Sequence, residues 1–154
     1  MKTCLVGLAL VLSLVSPNFA NAVDTVSDIP QIKRDADMDA ARDAIQKSNW
    51  TVAIDHLHKA ANRDARNADA HNLLGYSYRK SGNLNLAFKH YTDALKLDPN
   101  HRGAHEYIGE AYLLTGNLAK AEEHLKALDR ICFFSCEEFR DLRSAVEDYK
   151  RAKK

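Results

Sequence analysis

Hydrophobic positions recur with a helical period through the middle of the chain, most clearly across residues 68–101. This stretch reads as two amphipathic helices, each with one apolar face. The two faces are formed by Leu74, Gly75 and Tyr78 and by Ala87, Tyr91 and Ala94. Gly82 interrupts the pattern between the helices, and Pro99 ends it. The stretch is therefore predicted to be a helix-turn-helix unit.

The same pattern returns 34 residues earlier and 34 residues later, which predicts three units over residues 34–67, 68–101 and 102–133. With residue 68 as position 1, position 8 is Ala41, Gly75 and Gly109, position 20 is Ala53, Ala87 and Ala121, and position 15 is Ser48, Gly82 and Gly116. Small residues at positions 8 and 20 allow two helices to cross closely. Together with Leu74, Tyr78 and Pro99, these small residues form a pattern that resembles the tetratricopeptide repeat.

The resemblance implies an all-α fold, in which three tandem helix-turn-helix repeats form a short right-handed solenoid. We expect helices near residues 35–47, 50–63, 68–81, 84–97, 102–115 and 118–131. A seventh helix is predicted near 136–151, inside a capping helix and tail over residues 134–154. Ser135 and Glu138 suggest a capping box at its start. Its apolar stripe and charged outer face suit the end of a stacked array.

The first 22 residues resemble a secretory signal peptide. Lys2 is their only charge, an apolar run covers residues 5–15, and small residues precede the predicted cleavage after Ala22. An uncleaved anchor is the alternative, but the apolar run is shorter than a membrane-spanning helix. Residues 23–33 are predicted to be a flexible N-terminal arm. These features predict an exported, periplasmic protein with no stable membrane insertion after cleavage.

Composition and motifs argue against two classes of function, nucleic-acid binding and catalysis. The 22 Lys and Arg residues balance 21 Asp and Glu, and loss of Lys2 brings the formal charge to zero, which argues against a nucleic-acid partner. The sequence contains no nucleophile elbow, no H-E-x-x-H and no phosphate-binding glycine loop. We therefore expect a protein that is not an enzyme and that needs no cofactor.

Two cysteines remain after cleavage, Cys132 and Cys136, at the joint between the third unit and the last helix. In an exported chain an even count favours a disulfide, and a separation of four residues permits one. The alternative is a copper or zinc site, or a thiol-redox role, with thiolates near Glu137 or Glu138. Either use would make these two residues the chemically distinctive part of the chain.

Histidines also recur with the period, His56, His90 and His124 at position 23 and His71 and His105 at position 4. Equivalent helices of neighbouring repeats lie about 10 Å apart, whereas one ion holds its ligands at about 2.1 Å. The ladder therefore cannot converge on one ion, and no metal site is predicted from it.

The family resemblance implies that the first helix of each pair lines a concave groove for a protein or peptide partner. The groove residues expected here are Arg42, Asn72, Tyr76, Arg79, Lys80, Glu106, Glu110 and Leu113. Leu113 and Leu114 either meet a partner or are covered by the last helix. The residues by which relatives clamp a C-terminal carboxylate are replaced here by Met38, Arg42, Leu73, Gly103 and Tyr107. The sequence thus predicts a binding adaptor or scaffold, with metal or redox handling as the alternative.

The signal-peptide prediction has a direct test. Mass spectrometry of the protein purified from its native envelope should show an N-terminus at Val23. A full-length chain that keeps Met1 and stays in the membrane fraction would contradict the prediction.

Overall fold

In the computed structural model, which describes residues 35–154, the chain forms seven α-helices and no strand within that range. The helices are α1 (Ala36–Gln46), α2 (Trp50–Arg63), α3 (Ala68–Lys80), α4 (Leu84–Leu97), α5 (Arg102–Leu114), α6 (Leu118–Ile131) and α7 (Glu137–Ala152). The six paired helices lie within two residues of their predicted ends. The predicted signal peptide, the arm and Arg34 lie outside the described residues.

One turn design joins the two helices of every pair. The residue at position 15 has a positive φ, which glycine adopts at little cost, and the asparagine after it caps the second helix. These φ values are 55° at Ser48, 88° at Gly82 and 78° at Gly116. The side chains of Asn49, Asn83 and Asn117 accept hydrogen bonds from the backbone N–H groups of Val52, Leu86 and Lys120.

A close helix crossing joins α3 to α4. A Cβ atom built on Gly75 would lie 2.5 Å from the Tyr91 ring, closer than any real contact. Tyr91 itself is completely buried, so its ring lies against the bare backbone of α3. The same device appears at Gly109, where a Cβ atom would lie 2.6 Å from Leu142 of α7. Small residues at position 8 therefore set how near the next helix can come.

The three pairs stack in chain order, each helix packing on the next, with α5 contacting both α3 and α7. Helix α7 therefore occupies the place that the first helix of a fourth unit would take. Leu142 and Val146 of α7 are buried against Leu128 of α6, which closes the apolar core. This arrangement agrees with the predicted capping helix.

The start of α7 differs from the prediction. Its N-cap is Cys136, which makes no side-chain capping hydrogen bond, and the helix begins at Glu137. Ser135 lies before the helix with a φ of 42°, and its carbonyl accepts a hydrogen bond from Arg140. A capping box needs Ser135 at the N-cap position, so the predicted box is absent.

No helix within residues 35–154 is long and apolar enough to cross a membrane.

The crossing at Gly75 predicts the outcome of one substitution. Gly75→Leu has to displace the Tyr91 ring, and overpacking of this kind typically lowers the free energy of unfolding by about 1–3 kcal/mol. Ala119→Leu is the control, because it adds the same side chain at an exposed helical position. Urea titration should show the loss in Gly75→Leu alone, and equal stability of the two variants would contradict the close crossing.

Candidate functional site

The first helices of the second and third pairs present a cluster of aromatic rings around one arginine. The rings of Tyr76 and Tyr107 lie 4.9 Å apart, and Trp50 meets Tyr76 edge-on at 6.1 Å. The Arg79 guanidinium lies 5.4 Å from the Tyr76 ring and 5.5 Å from the Tyr107 ring. Cation–π attraction of this kind strengthens where water is excluded, so the cluster holds Arg79 in place.

Arg79 is occupied by partners within the protein. Its Nη2 atom lies 2.7 Å from Oε2 of Glu110, and its Nε atom donates to the Tyr91 hydroxyl at 3.3 Å. Only 10% of its side chain is exposed. Removing one partner of such a pair leaves a largely buried charge, which is strongly destabilising. The Arg79–Glu110 pair therefore joins α3 to α5, and it is not a free charge awaiting a ligand.

Glu106 lies one helical turn before Glu110 and is buried. Burial, followed by the nearby carboxylates of Glu110, Asp141 and Glu138, raises the pKa of Glu106 to about 8. The Arg79 charge opposes this rise only weakly. At neutral pH the Glu106 side chain is therefore mainly protonated, and it can donate a hydrogen bond as well as accept one.

An open cleft of about 550 Å³ adjoins this cluster, between α3, α5 and α7. Leu113, Leu114 and Tyr149 give it an apolar floor, while Lys80 and Asp148 contribute charges of opposite sign. Lys80 forms no ion pair with any residue in 35–154, and its Nζ atom lies 5.5 Å from the Tyr76 ring. The cleft thus combines apolar surface with an available cation.

The structure brings together five of the eight predicted groove residues, Tyr76, Arg79, Lys80, Glu110 and Leu113. Arg42 lies on α1, paired with Asp39 at 3.6 Å. Asn72 and Glu106 are only 6% and 9% exposed, so neither presents a free side chain to the cleft. Leu113 and Leu114 were expected either to meet a partner or to be covered by the last helix. Helix α7 covers much of Leu113 but leaves Leu114 64% exposed, so each alternative holds for one of the two leucines.

Sequence reasoning missed Tyr107 and Tyr149. Tyr107 stands at position 6, which the family pattern assigns only to the carboxylate clamp, and Tyr149 belongs to the capping helix. Tyr149 lies on the apolar stripe of that helix, and it also forms part of the cleft floor. The packing of α7 beside α5 shows that the capping helix forms one wall of the cleft, which the sequence pattern does not indicate.

A second missed feature joins positions 4 and 23 within each repeat. His56 Nδ1 donates to Asp37 at 2.7 Å in the first repeat. The Nδ1 atoms of His71 and His90 lie 3.3 Å apart in the second, and those of His105 and His124 lie 2.9 Å apart in the third. We call this contact the 4/23 slot. The signal was available in the sequence, because the same separation of 19 residues occurs three times.

Two histidines of the slot, His90 and His124, are largely neutral. Burial lowers the pKa of His90 to about 4, with further lowering from Lys89, His71 and His58. Burial and the neighbouring His105 lower the pKa of His124 to about 4 as well. A neutral imidazole keeps a lone pair on one ring nitrogen, which can accept a proton or bind a metal ion.

The two cysteines lie within bonding distance. Their Sγ atoms are 2.02 Å apart and their Cα atoms 5.5 Å apart, between α6 and α7. The loop that they close exposes Phe133 and Phe134 almost completely. Paired in this way they offer no thiolate, so the alternative metal or redox role requires their reduced form. Their oxidation state in the cell stays a prediction.

A sequence profile described as tetratricopeptide repeat matches residues 68–101, and the three stacked helix pairs extend that unit on both sides. The chain is a tetratricopeptide-repeat protein. No curated protein sequence matches it.

Several solved structures are similar to this tetratricopeptide-repeat protein. The Yersinia enterocolitica type III secretion translocator chaperone SycD shares 20% identity over 76% of this chain and 83% of its own, with a TM-score of 0.68. SycD in complex with a peptide of the translocator YopD shares 20% identity over 77% and 92%, with a TM-score of 0.66. The TPR2B domain of yeast Sti1, in a complex with pHsp70, shares 17% over 75% and 94%, with a TM-score of 0.70. At these identities the similarity concerns the fold.

The raised pKa of Glu106 predicts a pH dependence of stability. The folded protein keeps this proton up to about pH 8, whereas the unfolded chain releases it near its ordinary value of 4.5. The free energy of unfolding therefore falls as the pH rises between these values. Relative to Glu106→Gln, which stays neutral, the wild type should lose roughly 1–2 kcal/mol between about pH 6.5 and pH 8.

Urea titrations at the two pH values measure this difference. Glu147→Gln is the control, because Glu147 is exposed and its one ion-pair partner within residues 35–154 is Arg143, at 4.0 Å. It should follow the wild type. If Glu106→Gln also follows the wild type, Glu106 is ionised in the folded state at neutral pH.

Proposed function

We propose that this tetratricopeptide-repeat protein is an exported adaptor that holds a segment of another protein in the cleft between α3, α5 and α7. The observation that carries the proposal is the composition of the cleft. Exposed Leu114 and half-buried Leu113 and Tyr149 form an apolar floor, and Lys80 stands at its edge. Exposed apolar groups of this kind are costly unless a partner covers them.

The chemistry of the cleft indicates what the segment should contain. Arg79 and Glu110 neutralise each other, so they contribute shape and rigidity to the wall. Lys80 has no ion-pair partner among residues 35–154 and can meet a carboxylate of the ligand. An extended segment with an apolar side chain beside an acidic one would satisfy both features. Its apolar anchor would fill the floor, as buried anchors do at other interfaces.

The structural relatives give independent support. SycD was solved with a peptide of YopD, and the Sti1 domain in a complex with pHsp70, so arrays of this fold accommodate protein segments. The fold alone does not transfer a ligand from one array to another. The carboxylate-clamp positions differ in this chain, and Met38, one of them, is buried. We therefore propose contact with side chains of an internal segment.

Export is part of the same proposal, and it rests on two features of the chain. The first 22 residues have the charge, apolar run and small residues of a signal peptide. The two remaining cysteines lie within bonding distance, and such pairs persist in oxidising compartments. Periplasmic localisation would place both the adaptor and its partner in the cell envelope.

Capture of the partner tests the cleft. Immobilised residues 23–154 should retain a protein from an envelope extract of the source organism, which mass spectrometry would identify. Leu114→Ser and Lys80→Glu remove the apolar floor and the cation, and each should weaken binding at least about tenfold, or 1.4 kcal/mol. Val52→Ser is the matched control, because Val52 is 41% exposed on α2 and does not line the cleft.

Titration calorimetry with the identified segment supplies the affinities. Equal binding by all three variants would place the partner elsewhere on the array.

The alternative function places the chemistry at Cys132 and Cys136, as a copper or zinc site or a redox pair. A thiol titration on freshly purified protein separates the two functions. The adaptor proposal expects no free thiols, whereas two free thiols with a stoichiometric bound metal would favour the alternative.

A further inference from the structure

The 4/23 slot differs in chemistry from repeat to repeat, and the second repeat has the richest set of metal-binding groups. His71 and His90 meet there, and Asp93 lies on the same helix three residues after His90, which brings both onto one face. One ligand atom from each of these three side chains lies within 4.8 Å of the other two. Within residues 35–154, they form a cluster of donors that could share an ion. None of them lines the cleft.

The spacing of the two imidazoles fits a tetrahedral ion. Nitrogen atoms bound to one Zn²⁺ at about 2.0–2.1 Å lie about 3.3–3.4 Å from each other. The Nδ1 atoms of His71 and His90 are already 3.3 Å apart. A carboxylate oxygen of Asp93 lies within 4.8 Å of both histidines, and rotation of its side chain can shorten that distance.

Packing fixes the orientation of the His90 ring. The Tyr78 ring is stacked on His90 at 5.5 Å with an angle of 7° between the planes. The Tyr78 hydroxyl lies 2.9 Å from His58 Nε2, and the His58 ring meets His90 edge-on at 5.9 Å. A ligand whose ring plane is fixed before binding loses little freedom when the ion arrives.

Two lysines compete with an ion for Asp93. Lys89 and Lys96 lie 2.9 Å and 3.2 Å from its carboxylate oxygens. Their side chains are 61% and 70% exposed, and ion pairs at that exposure contribute little to stability. Both lysines can turn into solvent, so they do not close the site.

The slots of the other two repeats are already satisfied internally. In the first, Asp37 accepts hydrogen bonds from His56 and Arg63, and Lys59 replaces Asp93. In the third, His105 Nε2 donates to the Pro99 carbonyl at 3.0 Å, so its Nδ1 atom accepts a hydrogen bond from His124. Ala127 replaces Asp93 there. The third repeat thus has the two histidines without the carboxylate, which makes it an internal control.

We propose that His71, His90 and Asp93 form a binding site for a divalent transition-metal ion of the zinc type, with water as the fourth ligand. Two imidazoles and one carboxylate are a ligand set that suits Zn²⁺, and three protein ligands leave one position open. Both histidines must be unprotonated to bind the ion. This site is separate from the cysteine pair considered above.

Calorimetric titration of the untagged, metal-free protein with Zn²⁺ tests the site. We expect one ion per chain in the wild type and a rise in the thermal midpoint, because the ion binds the folded state. His71→Gln and Asp93→Asn should each lower the Zn²⁺ affinity at least about tenfold. Both residues are only partly buried, so these variants avoid removing the buried His90 ring. Co²⁺ bound in a tetrahedral site should give intense visible absorption, which both variants should lose.

His124→Gln is the matched control, since it disrupts the slot of the third repeat and leaves all three proposed ligands in place. It should bind Zn²⁺ as the wild type does. The Cys132→Ser/Cys136→Ser variant should also keep the stoichiometry of one, which separates this site from the sulfur atoms. Binding that survives in the His71→Gln/Asp93→Asn double variant, or that is lost in His124→Gln, would overturn the proposal, as would a wild type that binds no Zn²⁺.

Discussion

The contact between Gly75 and Tyr91 is the constraint on which the centre of this array depends. With no side chain at Gly75, the Tyr91 ring can lie on the backbone of α3 and be completely buried. That position aims its hydroxyl at Arg79, which in turn meets Glu110 on the next first helix. One close crossing inside a repeat thus sets the position of an arginine that joins two repeats. The aromatic wall of the cleft follows from this arrangement.

The helices were predictable because every pair has the same local signals. Position 15 followed by asparagine marks each turn, and the small residues at positions 8 and 20 mark each crossing. These signals act over a few residues, so they depend little on the rest of the fold. The capping role of α7 was also predictable from its apolar stripe. The capping box at Ser135 was wrong, because the loop between the two cysteines moves the N-cap to Cys136.

The site was less predictable, since it depends on how helices rotate against each other. The family pattern points Asn72 and Glu106 toward the groove, yet neighbouring helices bury both. A Cβ atom on Gly103 would lie 3.1 Å from Nδ2 of Asn72, which shows how tightly α3 and α5 meet there. The 4/23 slot needs the same information. Its residues are periodic in the sequence, but only the crossing of two helices shows that they meet.

Helix α7 gives the cleft a property that a groove built from repeats alone would lack. It supplies Ala145, Tyr149 and Ala152 to the cleft, and its own attachment depends on Leu142 against Gly109 and on the short loop from α6. Docking of α7 and occupancy of the cleft are therefore thermodynamically linked. If docking of α7 raises the affinity of a ligand that touches Tyr149, the bound ligand stabilises the docked position of α7. The two effects are equal in free energy. Amide hydrogen exchange along α7 would then slow as the cleft becomes occupied, so exchange in the last helix would measure ligand binding.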